Sequence, residues 1–176
     1  FAQGAHLEYS SRKWNWRVQQ EYISENFTSE GGFVPRNNYI KLEGTVGHLF
    51  LPSSDKVVSH GPQYTGYYYF DPSMNSTDYV SILGYAVNFM DRSSLGVDVF
   101  NEYVQLLAPF DPTNTGKEEL AAGTRHHWNG VYLSYNSRPK SLFTYNLTTR
   151  LGHYFSGGYR TNLNAELGYR FQPYVV

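Results

Sequence analysis

Alternation of apolar and polar side chains, kept up over unusually long segments, is the feature that most constrains this chain. From Ser141 to Phe155 the odd positions include Phe143, Tyr145, Leu147, Leu151 and Phe155, and the even ones Thr144, Asn146, Thr148, Arg150 and Gly152. After Ser156-Gly157-Gly158 the pattern resumes, with Leu163, Ala165, Leu167, Tyr169 and Phe171 on one parity and Asn162, Asn164, Glu166 and Arg170 on the other. A period of two sends the sets to opposite faces of a strand. A Gly-Gly turn between two such strands predicts a hairpin.

The same alternation recurs upstream. Trp14, Trp16, Val18 and Tyr22 oppose Lys13, Asn15, Arg17, Gln19 and Glu21; Ile40, Leu42, Val46 and Phe50 oppose Lys41, Glu43 and Thr45; Leu95, Val97, Val99 and Tyr103 oppose Asp98 and Glu102. Weaker strands are expected near residues 4–10, 56–70, 79–89 and 124–136. The segment Lys56 to Phe70 is ambiguous in face, and Gly61-Pro62 suggests a bulge or an edge. Between strands, short connections (Ser10 to Lys13, Pro52 to Asp55, Met90 to Ser94, Ser137 to Lys140) are expected to alternate with longer ones (Ser24 to Asn37, Asp71 to Asp78, Leu107 to Gly123) until the final Gly-Gly turn. Such alternation fits an up-and-down transmembrane β-barrel with tight turns at one end and loops at the other, rather than a Greek-key sandwich. Strand length agrees, because a tilted strand needs roughly 9 to 11 residues to cross a bilayer, whereas soluble strands centre near roughly 5 to 6.

Composition supports this expectation. Aromatic residues make up 18% of the chain and charged residues 16%, at a mean hydropathy of -0.51. A barrel wall that is polar on one side and ringed by Tyr, Trp and Phe has that profile. A net charge of -1 without a Lys/Arg cluster argues against nucleic acid. The absence of Cys removes disulfide, thiolate and cysteine–zinc chemistry. Residues 1–10 lack the basic and apolar regions of a signal peptide. No run reaches the roughly 18 apolar residues of a membrane helix. About nine strands are expected over residues 1–176, read as a single barrel segment. An odd number would leave an open edge in lipid, so the expectation is a segment incomplete at both ends and part of a larger barrel.

Several short motifs resemble the barrel region of a Bacteroidota-type outer-membrane family of unknown function, DUF5916. They are Gly32-Phe33-Val34-Pro35-Arg36, Pro109-Phe110-Asp111 with Ala121-Ala122-Gly123, Gly152-His153-Tyr154-Phe155-Ser156-Gly157-Gly158, and Gly168-Tyr169-Arg170-Phe171-Gln172-Pro173, together spanning nearly the whole chain. Members of that family often carry an amino-terminal module similar to a family 9 carbohydrate-binding domain. The resemblance therefore implies an outer-membrane barrel linked to glycan binding or uptake, with strands beyond Val176, and it supplies no catalytic residues.

The residues offer little independent chemistry. A barrel-type lipid hydrolase would need a Ser, a His and an orienting group within reach of one another. His153, Ser156 and Glu166, or His126, His127 and Ser134, are the available sets, and histidines at strand ends explain them equally well. His126 and His127 are adjacent, so on a strand they point apart and cannot share a metal. Asp111 to Gly116 resembles the start of a calcium loop, but Ala122 stands where a closing Glu is required. Asp71, Asn75 and Asp78 are ordinary turn residues. Asn26-Phe27-Thr28, Asn75-Ser76-Thr77 and Asn146-Leu147-Thr148 match the glycosylation pattern, the third in mid-strand. No catalytic residue, cofactor or metal is expected.

What remains is the division of faces. Glu8, Lys13, Arg17, Glu21, Lys41, Glu43, Asp98, Glu102, Arg150, Glu166 and Arg170, with His6, are expected to line the interior. Trp14, Trp16, Tyr22, Phe143, Tyr145, Leu163, Leu167, Tyr169 and Phe171 are expected to meet outer-membrane lipid or lipopolysaccharide, or to form the aromatic girdles. The expected function is a non-enzymatic channel or membrane anchor in the bacterial outer membrane. The rivals are a structural subunit of a larger outer-membrane assembly, docking other surface proteins through loops 24–37 and 107–123 by way of Phe33 or Phe110; the hydrolase; and a soluble sandwich or lectin.

Overall fold

The computed structural model describes residues 1–28, 36–116, 118–155 and 157–171. Within them the chain forms one antiparallel sheet of nine strands and no helix. The strands are β1 (Ala2–Ser10), β2 (Trp14–Ile23), β3 (Tyr39–His48), β4 (Val57–Phe70), β5 (Ser76–Phe89), β6 (Ser94–Gln105), β7 (Arg125–Asn136), β8 (Phe143–Tyr154) and β9 (Gly158–Tyr169). Each pairs with its sequence neighbour, in the order β1 to β9, with no crossover. The sheet is not closed: β1 pairs only with β2, and β9 only with β8.

The strands form where alternation predicts them, and the Gly157 turn joins β8 to β9 at a φ of 80° that favours glycine. Two local expectations differ. Phe50 does not extend β3, which ends at His48. Phe50 makes a single bridge to His60, with N–H···O distances of 2.7 and 3.1 Å, so the β3–β4 connection runs over 49–56 and exceeds the β4–β5 connection over 71–75. The irregularities in β4 fall near its two ends, between Val57 and Ser59 and between Tyr69 and Phe70, not at Gly61-Pro62, which stays in register against Ala86 and Tyr85. Pro62 is tolerated because the β3 ladder stops one residue away, at Gly47 opposite Gln63, where a missing N–H costs no pairing.

Among the described residues no second layer covers the sheet. Among the described residues only Tyr39, Phe100, Leu106 and Trp128 are buried large hydrophobics, against 28 that are exposed, so an apolar core is not what holds this fold together. Its regular elements are held by the ladders and by local clusters. Phe100, 1% exposed, is the most enclosed of these residues. It lies against Gly130, where an added Cβ would come within 2.4 Å of the ring, and its centroid is 5.0 Å from that of Tyr132.

Candidate functional site

Directly paired residues on neighbouring strands share a face, so the register sorts every side chain. One row runs Tyr9, Trp16, Val46, Tyr64, Leu83, Val99, Val131, Leu151, Thr161 across all nine strands. On the opposite face, a row from Asn15 passes through Gly47, Gln63, Gly84, Asp98, Tyr132, Arg150 and Asn162. The first face is predominantly apolar and the second carries most of the charged side chains, with exceptions such as Ser81, Asn101 and Asn129 on the first and Val80, Ile82 and Phe100 on the second.

Trp14, Trp16, Tyr22, Phe143, Tyr145, Leu163, Leu167 and Tyr169 all lie on the apolar face, and Phe171 follows β9 fully in the open. Glu8, Arg17, Glu21, Lys41, Glu43, Asp98, Glu102, Arg150 and Glu166 lie on the polar face, as does His6. Lys13 sits in the β1–β2 turn and faces neither way by register. Arg170 lies just past β9, where its Nη2 donates to the Pro139 carbonyl at 3.1 Å across the β7–β8 turn.

On the inner strands exposure runs against polarity, whereas the outer strands are open on both faces, with Leu163 of β9 74% exposed. Leu83 and Val99 lie open on the apolar face, whereas the Arg150 and Glu102 side chains on the polar face are 12% and 18% exposed. Several of the charges there are paired. Arg150 Nη2 donates to both Glu102 carboxylate oxygens at 3.2 and 3.3 Å, and its guanidinium lies 4.4 Å from the Phe100 centroid. Lys41 Nζ donates to Glu43 at 2.9 Å, and the Tyr39 hydroxyl to Glu21. Arg36 donates to Asp78 at 2.6 Å and to Thr77 at 2.8 Å, and its guanidinium packs over Tyr39 and Tyr69. It thereby ties the end of the first long loop to the start of β5.

The apolar face is banded. At the short-turn end, rings run from Trp14 to His48, Phe50, His60 and Tyr85, with successive centroids 4.3, 4.7, 5.2 and 5.9 Å apart. At the loop end Tyr68, Tyr79 and Tyr103 form a second row at 6.0 and 5.4 Å. Between the rows one level holds Val46, Tyr64, Leu83, Val99 and Val131, and the next holds the small or polar Gly44, Gly66, Ser81, Asn101 and Asn129.

The other candidate chemistry is not assembled. His153 lies on the apolar face, stacked edge-on against Tyr159, while Glu166 lies on the polar face; Ser156 is outside the described residues. His126 and His127 fall on opposite faces. Ser134 is eight positions along β7 from His126, roughly 26 Å of strand. His126 Nε2 lies 2.8 Å from the Thr124 hydroxyl. The Asp111 carboxylate accepts from the Thr113 hydroxyl and from the N–H groups of Thr113, Thr115 and Gly116, so both its oxygens serve the turn. These bonds, the Thr113 hydroxyl foremost, hold its pKa down to about 2. Asp71 is likewise lowered, by the Asn75 side chain and N–H, whereas Asp78 turns to Arg36, so Asp71, Asn75 and Asp78 do not converge. Among the described residues no group of three or more His, Asp or Glu could hold a metal.

Of the loop phenylalanines, Phe33 is outside the described residues, and Phe110 packs on Phe155 at 5.3 Å. Polarity alternation missed Tyr39, Phe100 and Trp128, which stand on the polar face. Their signal is the charged partner opposite, such as Glu102 facing Trp128. Compared with family models, curated proteins and solved structures, the chain matches none.

Proposed function

We propose that this chain is a stretch of wall of a bacterial outer-membrane β-barrel, with its apolar face to lipid and its polar face inward, serving non-enzymatically as a passive channel or as an anchor for a glycan-binding module. The observation that carries this reading is the exposure pattern of the inner strands: among the described residues Leu83 and Val99 lie open on the apolar face, while behind them Arg150 with Glu102 and Lys41 with Glu43 are largely enclosed and paired. Soluble monomers rarely expose contiguous apolar patches beyond a few hundred Å², and lipid is the solvent that favours such a face. The aromatic rows at both ends have the placement of interfacial girdles. The glycan connection rests on the resemblance to DUF5916 alone. Closure in lipid requires the β1 and β9 edges to be paired by further strands.

Carbonate washing of membranes followed by planar-bilayer recording tests this. Retention in the membrane with discrete conductance steps is expected of a channel, and retention with silence of an anchor. Release into the carbonate supernatant would overturn both.

A further inference from the structure

The polar face carries a recess near the free edge of the sheet, between β7 and β9, of about 210 Å³. The side chains around it are Tyr132, Thr148, Arg150, Arg160, Asn162 and Asn164. It contains two guanidiniums, two hydroxyls and two carboxamides, and no carboxylate. Elsewhere Lys41 is matched by Glu43 on this face, and Arg36 by Asp78 at the loop end.

The two arginines are diagonal neighbours, since Arg150 pairs with Asn162 and Arg160 with Gly152. Gly152 puts no side chain opposite Arg160, and both arginines line the recess. Arg150 is only partly neutralised: its contacts to Glu102, at 3.2 and 3.3 Å, are longer than the roughly 2.7–2.9 Å of a strong charge-assisted bond. Its Nε is buried without a partner among the described residues. Arg160 is pinned rather than paired. Its Nε donates to Asn162 Oδ1 at 2.7 Å and its guanidinium lies 5.3 Å from the Tyr154 centroid, while its terminal nitrogens have no acceptor among the described residues. The other acid beside the recess, Glu166, already accepts from Asn146 Nδ2 at 3.2 Å.

We infer that this recess binds an oxyanion, the carboxylate or phosphate group of a small solute, gripped between Arg150 and Arg160. Planar guanidinium forks match both oxyanions, and the carboxamides and hydroxyls supply further donors. Pinning of Arg160 by Asn162 and Tyr154 places one fork before the ligand arrives, which lowers the ordering cost of binding.

The site goes beyond the membrane-wall reading and needs only the folded sheet, so it is tested in detergent micelles. Absence of binding there would leave the lipid-facing reading intact, and release by carbonate would leave the recess to be judged on its own titration. The probe is sodium phosphate at pH 7 and constant ionic strength, read by the Nε–H resonances of Arg150 and Arg160, with acetate and glycerol as further arms. Saturable shifts at both arginines are expected, with a roughly tenfold weakening in Arg160→Gln, a smaller one in Asn162→Ala, and none in Lys140→Gln. Acetate reproducing the shifts would show that a carboxylate suffices, and phosphate acting alone would identify a phosphate-bearing ligand. No saturable shift in the parent protein, an equal response to glycerol, or unchanged affinity in Arg160→Gln would overturn the site.

Discussion

Enclosing a charge beside an aromatic ring costs solvation, and Arg150 tolerates it because Glu102 stands within reach and Phe100 offers its face. Removing one partner leaves the other unpaired in the same enclosure, which is more costly than the net worth of the pair. Arg150→Met is therefore expected to destabilise the folded protein by about 3 kcal/mol in urea unfolding. Adding Glu102→Gln should restore much of that loss; a single mutant as stable as the parent would mean the pair is solvated. Asp111 gives a prediction of opposite character, set by its turn. Its folded pKa of about 2 lies below its ordinary 3.8, so its contribution is fully present above the ordinary value and lost as pH falls through the folded one. The Thr115 and Gly116 amide resonances should keep their hydrogen-bonded positions at pH 4 and move only as pH approaches 2. A transition centred on the ordinary value would show that the turn does not hold the carboxylate. At this scale the sequence hides most where an aromatic ring stands on the polar side. Tyr39, Phe100 and Trp128 count as apolar in any alternation, and only strand pairing shows them packing against charged neighbours.

Strands carry the clearest signal in the sequence where each face keeps one character over 10 to 12 residues, as in β2, β8 and β9. β8, β9, β2 and β6 were legible for that reason. β4 was not: Tyr64, Tyr68 and Phe70 face one way and Tyr67 and Tyr69 the other, so both parities look aromatic until pairing with β3 and β5 separates them. The β3–β4 connection was misjudged because an apolar residue in phase with a strand, Phe50, leaves the ladder to make a lone bridge. The face assignment has an energetic consequence within a single strand. Leu163 is already open, so in water Leu163→Arg would change stability by no more than about 0.5 kcal/mol, whereas an Arg facing the middle of a bilayer costs roughly 2–4 kcal/mol. In lipid, Leu163→Arg is expected to show the larger loss and Asn164→Arg, on the other face of β9, almost none. Equal small effects at both positions would contradict a lipid-facing Leu163.

In the whole molecule the meander fixes a parity. β1 and β9 are both odd in an alternating series, so they run in the same direction and direct pairing between them would be parallel. Closing the sheet on itself with antiparallel ladders alone would take an odd number of further strands. An up-and-down antiparallel sheet of about nine strands was legible in the sequence, because strand number and direction follow from alternation and turn positions. It held much less of the candidate oxyanion recess, because Arg150, Arg160 and Asn162 meet only through the β8–β9 register. Register shows which residues share a face, and the proposed channel, anchor and closure all depend on one claim beyond it, that alternate side chains face hydrocarbon and an aqueous or ion-paired interior. Nitroxide scanning of β6 and β9 in bilayers measures this directly, by comparing collisions with oxygen and with a water-soluble nickel chelate. Labels at Leu95, Val97, Val99, Leu163, Ala165 and Leu167 are expected to favour oxygen, and those at Gly96, Asp98, Asn162, Asn164 and Glu166 the chelate or neither. Equal access of the chelate to both parities, or alternation in the reverse phase, would contradict it.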